Sequence, residues 1–264
     1  MGLLSGKKAL IFGVANDRSI AWGIAQALHR EGAELGFTFL GEALEKRVRP
    51  LAASVGSKLV LPCDATKDDE IAAVYAEVAK VWGKFDILIH AMAYARKEDL
   101  EGAFMDTSRD GFLLAMNVSA YSLLAVTKPA VPLMNVGGSV LTLTYYGSDR
   151  VMPNYNVMGV AKAALESSVR YLAADLGPLG IRVNAISAGA IKTLASSGIA
   201  GIRAKIKLSE QASPMRRNVT QDEVGNSALY LCSDLGSGVT GEIHFVDNGV
   251  NIMGEVKAKE EPAA

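Results

Sequence analysis

Short runs of apolar and β-branched residues alternate along the chain with longer segments in which apolar side chains recur at helical spacing. The short runs predict seven strands, at 9–12, 34–39, 58–61, 86–90, 138–144, 182–186 and 242–246. The longer segments predict helices, at 19–31, 42–55, 67–82, 108–134, 154–176 and 221–233. Strands that are apolar on both faces and separated by helices indicate a mostly parallel sheet covered on both sides. The pattern therefore predicts a single doubly wound α/β domain of the Rossmann type, which binds its ligand at the carboxyl ends of the strands.

The alternation stops at 191–213, a segment rich in Ala, Gly, Ser and Lys that follows the sixth strand. A long segment at the ligand edge of the sheet favours a substrate lid, and an ordinary surface helical hairpin is the alternative. We assign 1–254 to the domain. The charged segment 255–264, which ends in Pro-Ala-Ala, is expected to be a flexible tail.

Composition narrows the possible functions. The 264 residues include 27 basic and 28 acidic ones, for a net charge of -1, which argues against a general nucleic-acid binder. Cys63 and Cys232 lie far apart and the three histidines lack metal-ligand spacing, so neither a disulfide framework nor a metal site is expected. His90 is expected to be a packing residue. No apolar stretch approaches the roughly 20 residues that span a bilayer, so we expect a cytoplasmic protein without membrane insertion.

The turn after the first strand has the features of a phosphate-binding loop. It runs from Gly13 to Gly23 and leads into a helix, whose N-terminus offers unpaired N–H groups and a positive dipole end. Ser19 is placed either to cap that helix or to bond a phosphate oxygen. The usual Gly-x-Gly-x-x-Gly is absent here, and its one match, at 236–241, precedes a strand instead of following one.

Two positions bear on the adenosine half of a dinucleotide. The second strand ends at Leu40, where an acidic residue would bind the ribose and a basic one would favour a 2′-phosphate. NADH is therefore favoured over NADPH, although Lys46 and Arg47 follow in the next helix and NADPH is not excluded. Asp64, after the third strand, either accepts a bond from the adenine amino group or caps the helix at Lys67.

A tyrosine and a lysine are the candidates for chemistry. Tyr155 and Lys162 are seven residues apart, nearly two helical turns, so both project from one helix face about 10 Å apart along the axis. Tyr145, at the end of the fifth strand, reaches the same crevice. Lysine can bond the nicotinamide ribose, and tyrosine can donate to an oxygen that becomes anionic as hydride arrives. The alternatives are a packing tyrosine and a solvated lysine.

These motifs resemble one family. The Gly-x5-Ser-x-Ala-x-Gly turn, Tyr-x6-Lys, Pro-Asn-Tyr-Asn-Val-Met-Gly and Asn-Ala-Ile-Ser-Ala-Gly-Ala-Ile-Lys-Thr are similar to those of the divergent enoyl-[acyl-carrier-protein] reductases, within the short-chain dehydrogenase/reductase group. The similarity covers roughly 3–254. Typical short-chain reductases instead place the lysine four residues after the tyrosine. The sequence departs from the family at Leu40, Ala93 and Asn248, positions that are often glutamine, glycine and glycine.

The resemblance implies a site and a reaction. It implies hydride transfer from NADH to the C2=C3 bond of a trans-2-enoyl thioester in fatty acid biosynthesis, with Tyr155 as the donor to the thioester oxygen. Lys162 would bind the ribose, Tyr145 would neighbour the acyl pocket, and Ala95 would line the substrate site. The remaining cofactor-binding residues implied are Gly13, Ser19, Ile20, Leu40, Asp64, Ala65, Met92, Ile191, Thr193 and Leu194.

The expected partners are an acyl carrier protein and further copies of the chain, in a homotetramer built on the apolar helices 108–134 and 154–176. Basic residues in the lid, Arg203, Lys205 and Lys207, are expected to guide the acidic carrier. The alternatives are a ketone reductase or alcohol dehydrogenase on the same fold, and a non-catalytic dinucleotide sensor. The seven-residue offset argues against the first, and the intact tyrosine–lysine pair against the second.

Overall fold

Seven parallel strands form one sheet in the order β3-β2-β1-β4-β5-β6-β7. The computed structural model describes residues 2–194 and 201–254, and at 202 and 203 the backbone only. The strands are β1 Lys8–Phe12, β2 Glu34–Phe39, β3 Leu59–Pro62, β4 Phe85–His90, β5 Met134–Thr144, β6 Arg182–Ala188 and β7 Ile243–Val246. The strand order reverses between β1 and β4, which opens a crevice at their carboxyl ends. The predicted fold and its parallel sheet are confirmed.

The helices connect these strands on both faces of the sheet. They are α1 Ile20–Arg30, α2 Gly41–Ser54, α3 Asp68–Trp82, α4 Arg109–Met116, α5 Ser122–Ala130, α6 Asn156–Leu176, α7 Ile202–Ala212 and α8 Gln221–Cys232. Thr220 caps α8 in a capping box with Glu223. Gly23 and Gly225 let α1 and α8 pack closely, since a Cβ on Gly225 would lie 2.6 Å from the Gly23 carbonyl oxygen.

Two hydrophobic cores lie on opposite faces of the sheet. Alternate side chains of β1 supply them: Ala9 and Ile11 belong to the core with α1 and α8, Leu10 and Phe12 to the core with α3, α5 and α6. This alternation is the period of two expected of a strand. It explains why the buried strands are apolar throughout, the feature from which the parallel sheet was predicted.

The single helix predicted at 108–134 is interrupted. A π-helical turn, Asn117–Tyr121, separates α4 from α5, and the chain leaves α5 through a short 3₁₀ turn, Val131–Leu133. β5 begins at Met134, which was assigned to the preceding helix, and so includes the Asn-Val-Gly segment before the predicted start of the strand at 138. The strand accommodates this segment because its register against β4 shifts between Phe85 and Ile87 and Gly137 adopts φ +85°.

The helical run Arg109–Leu133 is long enough and apolar enough, by length and composition alone, to cross a membrane. The expectation that no stretch has this character is therefore wrong. Nearly half of its most apolar window, 44%, is buried within the protein. Leu123 and Val126 are fully buried in the core beside α3 and α6, which identifies the run as a core helix of this fold.

The segment at 191–213 contains α7, which the sequence pattern did not predict. Residues 195–200 of the predicted lid lie outside the described residues, as does the predicted tail at 255–264. The end of α7 is held to the segment that follows β7, because Ser213 donates from Oγ to the Asn248 carbonyl at 2.9 Å. Asn218 donates from Nδ2 to the Ile206 carbonyl of α7 at 3.0 Å.

Candidate active site

The turn between β1 and α1 lies at the crevice and depends on a glycine. Gly13 has φ +103°, and a Cβ there would lie 2.1 Å from the Ala91 carbonyl oxygen at the end of β4. The turn therefore packs directly against the end of the adjacent strand β4, and only a glycine fits at this position. α1 begins at Ile20, directly after this turn. A helix N-terminus is suited to a pyrophosphate, and that role of the turn stays a prediction.

Ser19 does not cap α1 with its side chain, which corrects one of the two roles expected of it. Its Oγ donates to the Asn16 carbonyl at 2.6 Å, inside the turn. The turn is also held from outside, since Gln221 at the start of α8 donates from Nε2 to the Ser19 carbonyl at 2.7 Å. Ser19 is buried and shapes the loop.

On the adenosine side, Leu40 is 57% exposed and precedes α2 without a side-chain cap. Asp64 does not cap α3, contrary to one of its two expected roles: its Oδ1 accepts from the Thr66 N–H at 3.0 Å and from the Thr66 hydroxyl at 2.7 Å. Burial alone would raise the pKa of the Asp64 carboxyl, but these bonds and the charge of Lys67 lower it. Ala65, beside it, packs at the edge of the α3 core.

Several other predicted site residues lie just beyond the carboxyl ends of β4 and β6. Met92, just after β4, packs against the α3 core, and Ala95 packs with Tyr155 in a small separate cluster. Ile191, after β6, packs against the α1 core. Thr193 and Leu194 follow it at the same edge of the sheet, half-buried and exposed respectively.

Tyr155 is the last residue before α6 rather than a residue within the helix. It stands between two asparagines with left-handed backbone, Asn154 at φ 56° and Asn156 at φ 36°. Non-glycine residues rarely adopt this region, and they cluster at functional sites. Asn156 donates from Nδ2 to the Gly102 carbonyl at 3.2 Å, which ties this start of the helix to the loop after β4.

The ring of Tyr155 is held by two neighbours. A Cβ on Gly147 would lie 2.8 Å from Cδ1 of Tyr155, so the phenol ring packs on the backbone there. Tyr145 meets it edge-on, with ring centroids 5.1 Å apart and planes at 73°. Burial raises the pKa of the Tyr155 phenol, and so do Tyr145 and Glu166. The phenol therefore stays protonated and can donate a hydrogen bond.

Lys162 is buried, with 6% of its surface exposed, so the alternative of a solvated charge is wrong. Its Nζ donates to the Leu143 carbonyl at 2.8 Å. Burial lowers the pKa of the ammonium to about 8, although Glu166 acts in the opposite direction. An ammonium carries three donors, and the one bond to Leu143 leaves two for hydroxyl groups such as those of a ribose.

His90, at the end of β4, is fully buried between two hydroxyl groups. Its Nδ1 lies 2.8 Å from the Thr142 hydroxyl, and its Nε2 lies 2.8 Å from that of Ser122. Ser122 donates its own proton to the Val118 carbonyl, so His90 donates from Nε2 and accepts at Nδ1. Burial lowers the pKa of His90 to about 3, with help from the nearby Lys162. These contacts fit the expected packing role.

Three residues of the site were not identified from the sequence. Glu166 accepts from the Thr144 hydroxyl at 2.6 Å, one turn beyond Lys162 on α6. Ser119, in the π-helical turn, accepts from the Tyr94 N–H at 2.9 Å and donates to the Tyr94 carbonyl at 3.0 Å. Asp247 is buried near Tyr145, whose pKa is raised by burial and by the charges around it. The i,i+4 spacing of Glu166 from Lys162 was the one available signal.

On α7, Lys205 donates from Nζ to the Pro153 carbonyl, two residues before Tyr155. Burial lowers the pKa of its ammonium. Lys205 is therefore engaged at the site rather than free on the surface, whereas Lys207 is exposed. Among the residues that the structure describes, no group of three or more His, Cys, Asp or Glu could hold a metal ion.

Residues 13–251 match the family described as Enoyl-(Acyl carrier protein) reductase. A relative in Rhizobium meliloti, named Enoyl-[acyl-carrier-protein] reductase [NADH] 1, is 57% identical over 99% of this chain and 96% of its own length.

Solved structures give the same result. The enoyl-acyl carrier protein reductase of Bacillus cereus, in complex with NADP+ and indole naphthyridinone, has a TM-score of 0.94 at 53% identity, over 97% of this chain and 100% of that one. The reductase of Anaplasma phagocytophilum, in complex with NAD, has a TM-score of 0.93 at 47% identity, over 99% of this chain and 98% of that one.

Proposed function

The chain belongs to the enoyl-(acyl carrier protein) reductase family, and we propose that Tyr155, Tyr145 and Lys162 carry its reaction. It is an NADH-dependent oxidoreductase that reduces the double bond of enoyl-[acyl-carrier-protein] thioesters in fatty acid synthesis. One observation carries the assignment of the residues: a half-buried, protonated phenol packed on Tyr145 and a buried lysine bonded to the Leu143 carbonyl lie at the carboxyl end of β5, with the seven-residue offset.

The residues present fit a bound dinucleotide. Gly13 lets the turn lie against the end of β4 and lead into the N-terminus of α1, where the pyrophosphate would lie. The two unused donors of Lys162 fit the nicotinamide ribose. NADH, when bound, supplies the hydride that C3 of the substrate accepts. We propose that Met92, Ile191, Thr193 and Leu194 line the nicotinamide, and that Ile20, Leu40, Asp64 and Ala65 lie toward the pyrophosphate and adenosine.

Tyr155 acts where the negative charge develops. Attack at C3 moves the electron pair of the C2=C3 bond into the C1–C2 bond and the carbonyl pair onto the thioester oxygen, two atoms beyond C2. The enolate then takes a proton from water at C2 to give the saturated thioester. The donor must therefore lie farther from the hydride acceptor than in a ketone reductase, where the attacked carbon itself carries the oxygen. Tyr155, displaced toward the start of α6, meets that requirement and donates its hydrogen bond to the oxyanion. Tyr145 holds the phenol ring in place, and Ala95 lines the acyl side.

The assignment is tested by NADH oxidation with crotonyl thioester beside a β-ketoacyl thioester. We expect rapid oxidation with the first and little with the second. A protein that reduces only the β-ketoacyl thioester would instead be a ketone reductase. A protein that binds NADH and oxidises it with neither substrate would be a dinucleotide sensor.

We propose that NADH is preferred over NADPH. Leu40 is exposed at the start of α2 and offers no charge to a 2′-phosphate. Lys46 and Arg47 are exposed one turn later, so the preference is expected to be modest. The ratio of kcat/KM for the two cofactors measures it, and a value that favours NADPH would contradict the inference from Leu40.

We propose a homotetramer in the cytoplasm. Large apolar side chains lie exposed on α4, the π-helical turn, α5 and α6: Leu113, Tyr121, Leu124, Val160 and Tyr171. An exposed apolar stripe of this kind marks an interface, and homo-oligomers close by twofold symmetry. Light scattering that reports a monomer at micromolar concentration would rule the tetramer out.

The acidic carrier protein is proposed to dock at α7, which we propose as part of a lid over 191–213. Lys207 is the exposed cation among the described side chains of this helix, and Lys205 is held by Pro153. Lys207→Ala should reduce kcat/KM for a carrier-protein substrate and leave a small thioester unaffected, with the difference fading at high salt. Equal losses with both substrates would remove the docking role. Arg203 was expected to contribute too, but its side chain lies outside the described residues.

A further inference from the structure

A carboxylate lies fixed one helical turn beyond Lys162. Glu166 stands four residues after it on α6, half-buried. Its Oε1 accepts from the hydroxyl of Thr144 at 2.6 Å, a short charge-assisted bond. Thr144 is the last residue of β5, immediately before Tyr145. The carboxylate is thus tethered to the strand end that carries Tyr145 and the Leu143 carbonyl to which Lys162 is bonded.

The titratable groups of β4, β5 and the start of α6 near Lys162 carry no negative charge at neutral pH, and the carboxylate of Asp247, after β7, acts on Tyr145 and Tyr146 rather than on Lys162. His90, on β4, is neutral because burial holds its pKa at about 3. Tyr155, before α6, and Tyr145, after β5, keep their protons because burial raises the pKa of both phenols. Glu166 is therefore the negative charge that acts on the buried ammonium within the described part of the chain. No ion pair within 4.0 Å joins the two in that part, so the carboxylate acts without occupying the donors of Lys162.

We propose that Glu166 is a positioning residue for the reaction: its carboxylate, oriented by Thr144, is the counter-charge that keeps buried Lys162 a cation able to bind the cofactor ribose. The proposal rests on the proposed role of Lys162 and adds to it the group that sustains the charge. A direct salt bridge would have used the lysine's donors, whereas a carboxylate held one turn away by a strand hydroxyl leaves them for the ligand.

The physical need for such a group follows from burial. Burial disfavours the charged form of an amine and has already lowered the pKa of Lys162 to about 8, close to working pH. Glu166 raises that pKa, so its removal would let the ammonium lose its proton at lower pH. The affinity for NADH would then begin to fall earlier as pH rises.

Glu166→Gln tests the proposal with little change of shape, because the amide oxygen can still accept from Thr144. NADH affinity, measured by fluorescence titration between about pH 6 and pH 9, should equal that of the wild type at the acid end. At about pH 8.5 it should be roughly fivefold weaker than that of the wild type. Asp175→Asn removes an exposed carboxylate from the same helix and is the matched control, for which the two curves should coincide.

Two outcomes would overturn the proposal. One is a Glu166→Gln curve that falls at the same pH as the wild type, and the other is an equal loss of affinity at every pH, which would indicate a purely structural role. Glu166→Asp retains the negative charge. Its curve of NADH affinity against pH should therefore lie closer to that of the wild type than the Glu166→Gln curve does, even if both variants lose thermal stability. If the wild type bound NADH but did not reduce crotonyl thioester, the proposed reaction would fail, while these binding curves would still test the link between Glu166 and Lys162.

Discussion

The buried ammonium of Lys162 should lower the free energy of unfolding, although the site needs it to bind the cofactor. Its ammonium is buried with a single hydrogen bond, to the Leu143 carbonyl. We predict that Lys162→Met, which shortens the unbranched side chain by one atom and removes the charge, stabilises the ligand-free protein at neutral pH while it abolishes productive NADH binding. A stability gain with a loss of function is the expected pattern for a strained functional group.

The magnitude follows from the pKa. An ordinary lysine titrates near 10.5, and Lys162 in the folded protein at about 8, a difference that corresponds to about 3 kcal/mol against folding. The lost bond to Leu143 offsets about 1 kcal/mol of the gain. We therefore expect Lys162→Met to raise the free energy of unfolding by about 2 kcal/mol at pH 7.

The pH dependence has a definite sign. Between about pH 8 and pH 10.5 the unfolded chain binds more protons at this lysine than the folded one, so wild-type stability rises with pH in that window. The advantage of the Met variant should thus be full below about pH 8 and shrink above it.

Denaturant unfolding at fixed protein concentration and at several pH values measures both effects. Lys207→Met, at an exposed lysine, is the control and should change little. A Met variant that is less stable than the wild type at pH 7, or an advantage independent of pH, would refute the reasoning.

Three further outcomes are expected. Tyr155→Phe should lower kcat by roughly 10²-fold in steady-state assays and leave the Kd for NADH unchanged; a loss of NADH binding would contradict the assigned division of labour. Gly13→Ala should lower the free energy of unfolding by about 2–4 kcal/mol, because its Cβ would lie 2.1 Å from the Ala91 carbonyl oxygen at φ +103°. Gly6→Ala, at φ +79° with open space around it, should lower the free energy of unfolding by only about 1 kcal/mol. Equal losses for the two variants would show that the contact of Gly13 with Ala91 does not matter for stability. The pH profile of kcat/KM should stay flat from about pH 5.5 to pH 7, because the pKa of His90 is about 3. A fall of kcat/KM in this pH range that is absent from the His90→Gln variant would contradict this.

The fold was largely predictable because its strands are buried on both faces and therefore apolar throughout. β2, Glu34–Phe39, was predicted to the residue. The boundary between α5 and β5 was not, because a register shift and Gly137 allow a turn-like sequence to continue as strand. The π-helical turn has no local sequence signal. Its Ser119 forms hydrogen bonds with the backbone of Tyr94, which is 25 residues away in sequence.

The candidate site was predictable where chemistry follows from residue type and spacing, as for Tyr155 and Lys162. Its electrostatics were not. The burial of Lys162 depends on the packing of α6 against β5 and β6, and the contact of Glu166 with Thr144 joins elements that are 22 residues apart in sequence. Contacts between distant parts of the sequence also explain why Lys205 was expected on the surface, whereas it donates to the Pro153 carbonyl.

The central claim is that hydride reaches C3 of an enoyl thioester while charge collects on its oxygen beside Tyr155. Its most direct test is the reduction of crotonyl thioester with NADH deuterated at both hydrogens of the nicotinamide C4, followed by NMR of the butyryl product. We predict one deuterium at C3 and none from the cofactor at C2. Deuterium at C2, or a wild-type protein that leaves crotonyl thioester unreduced, would contradict the account.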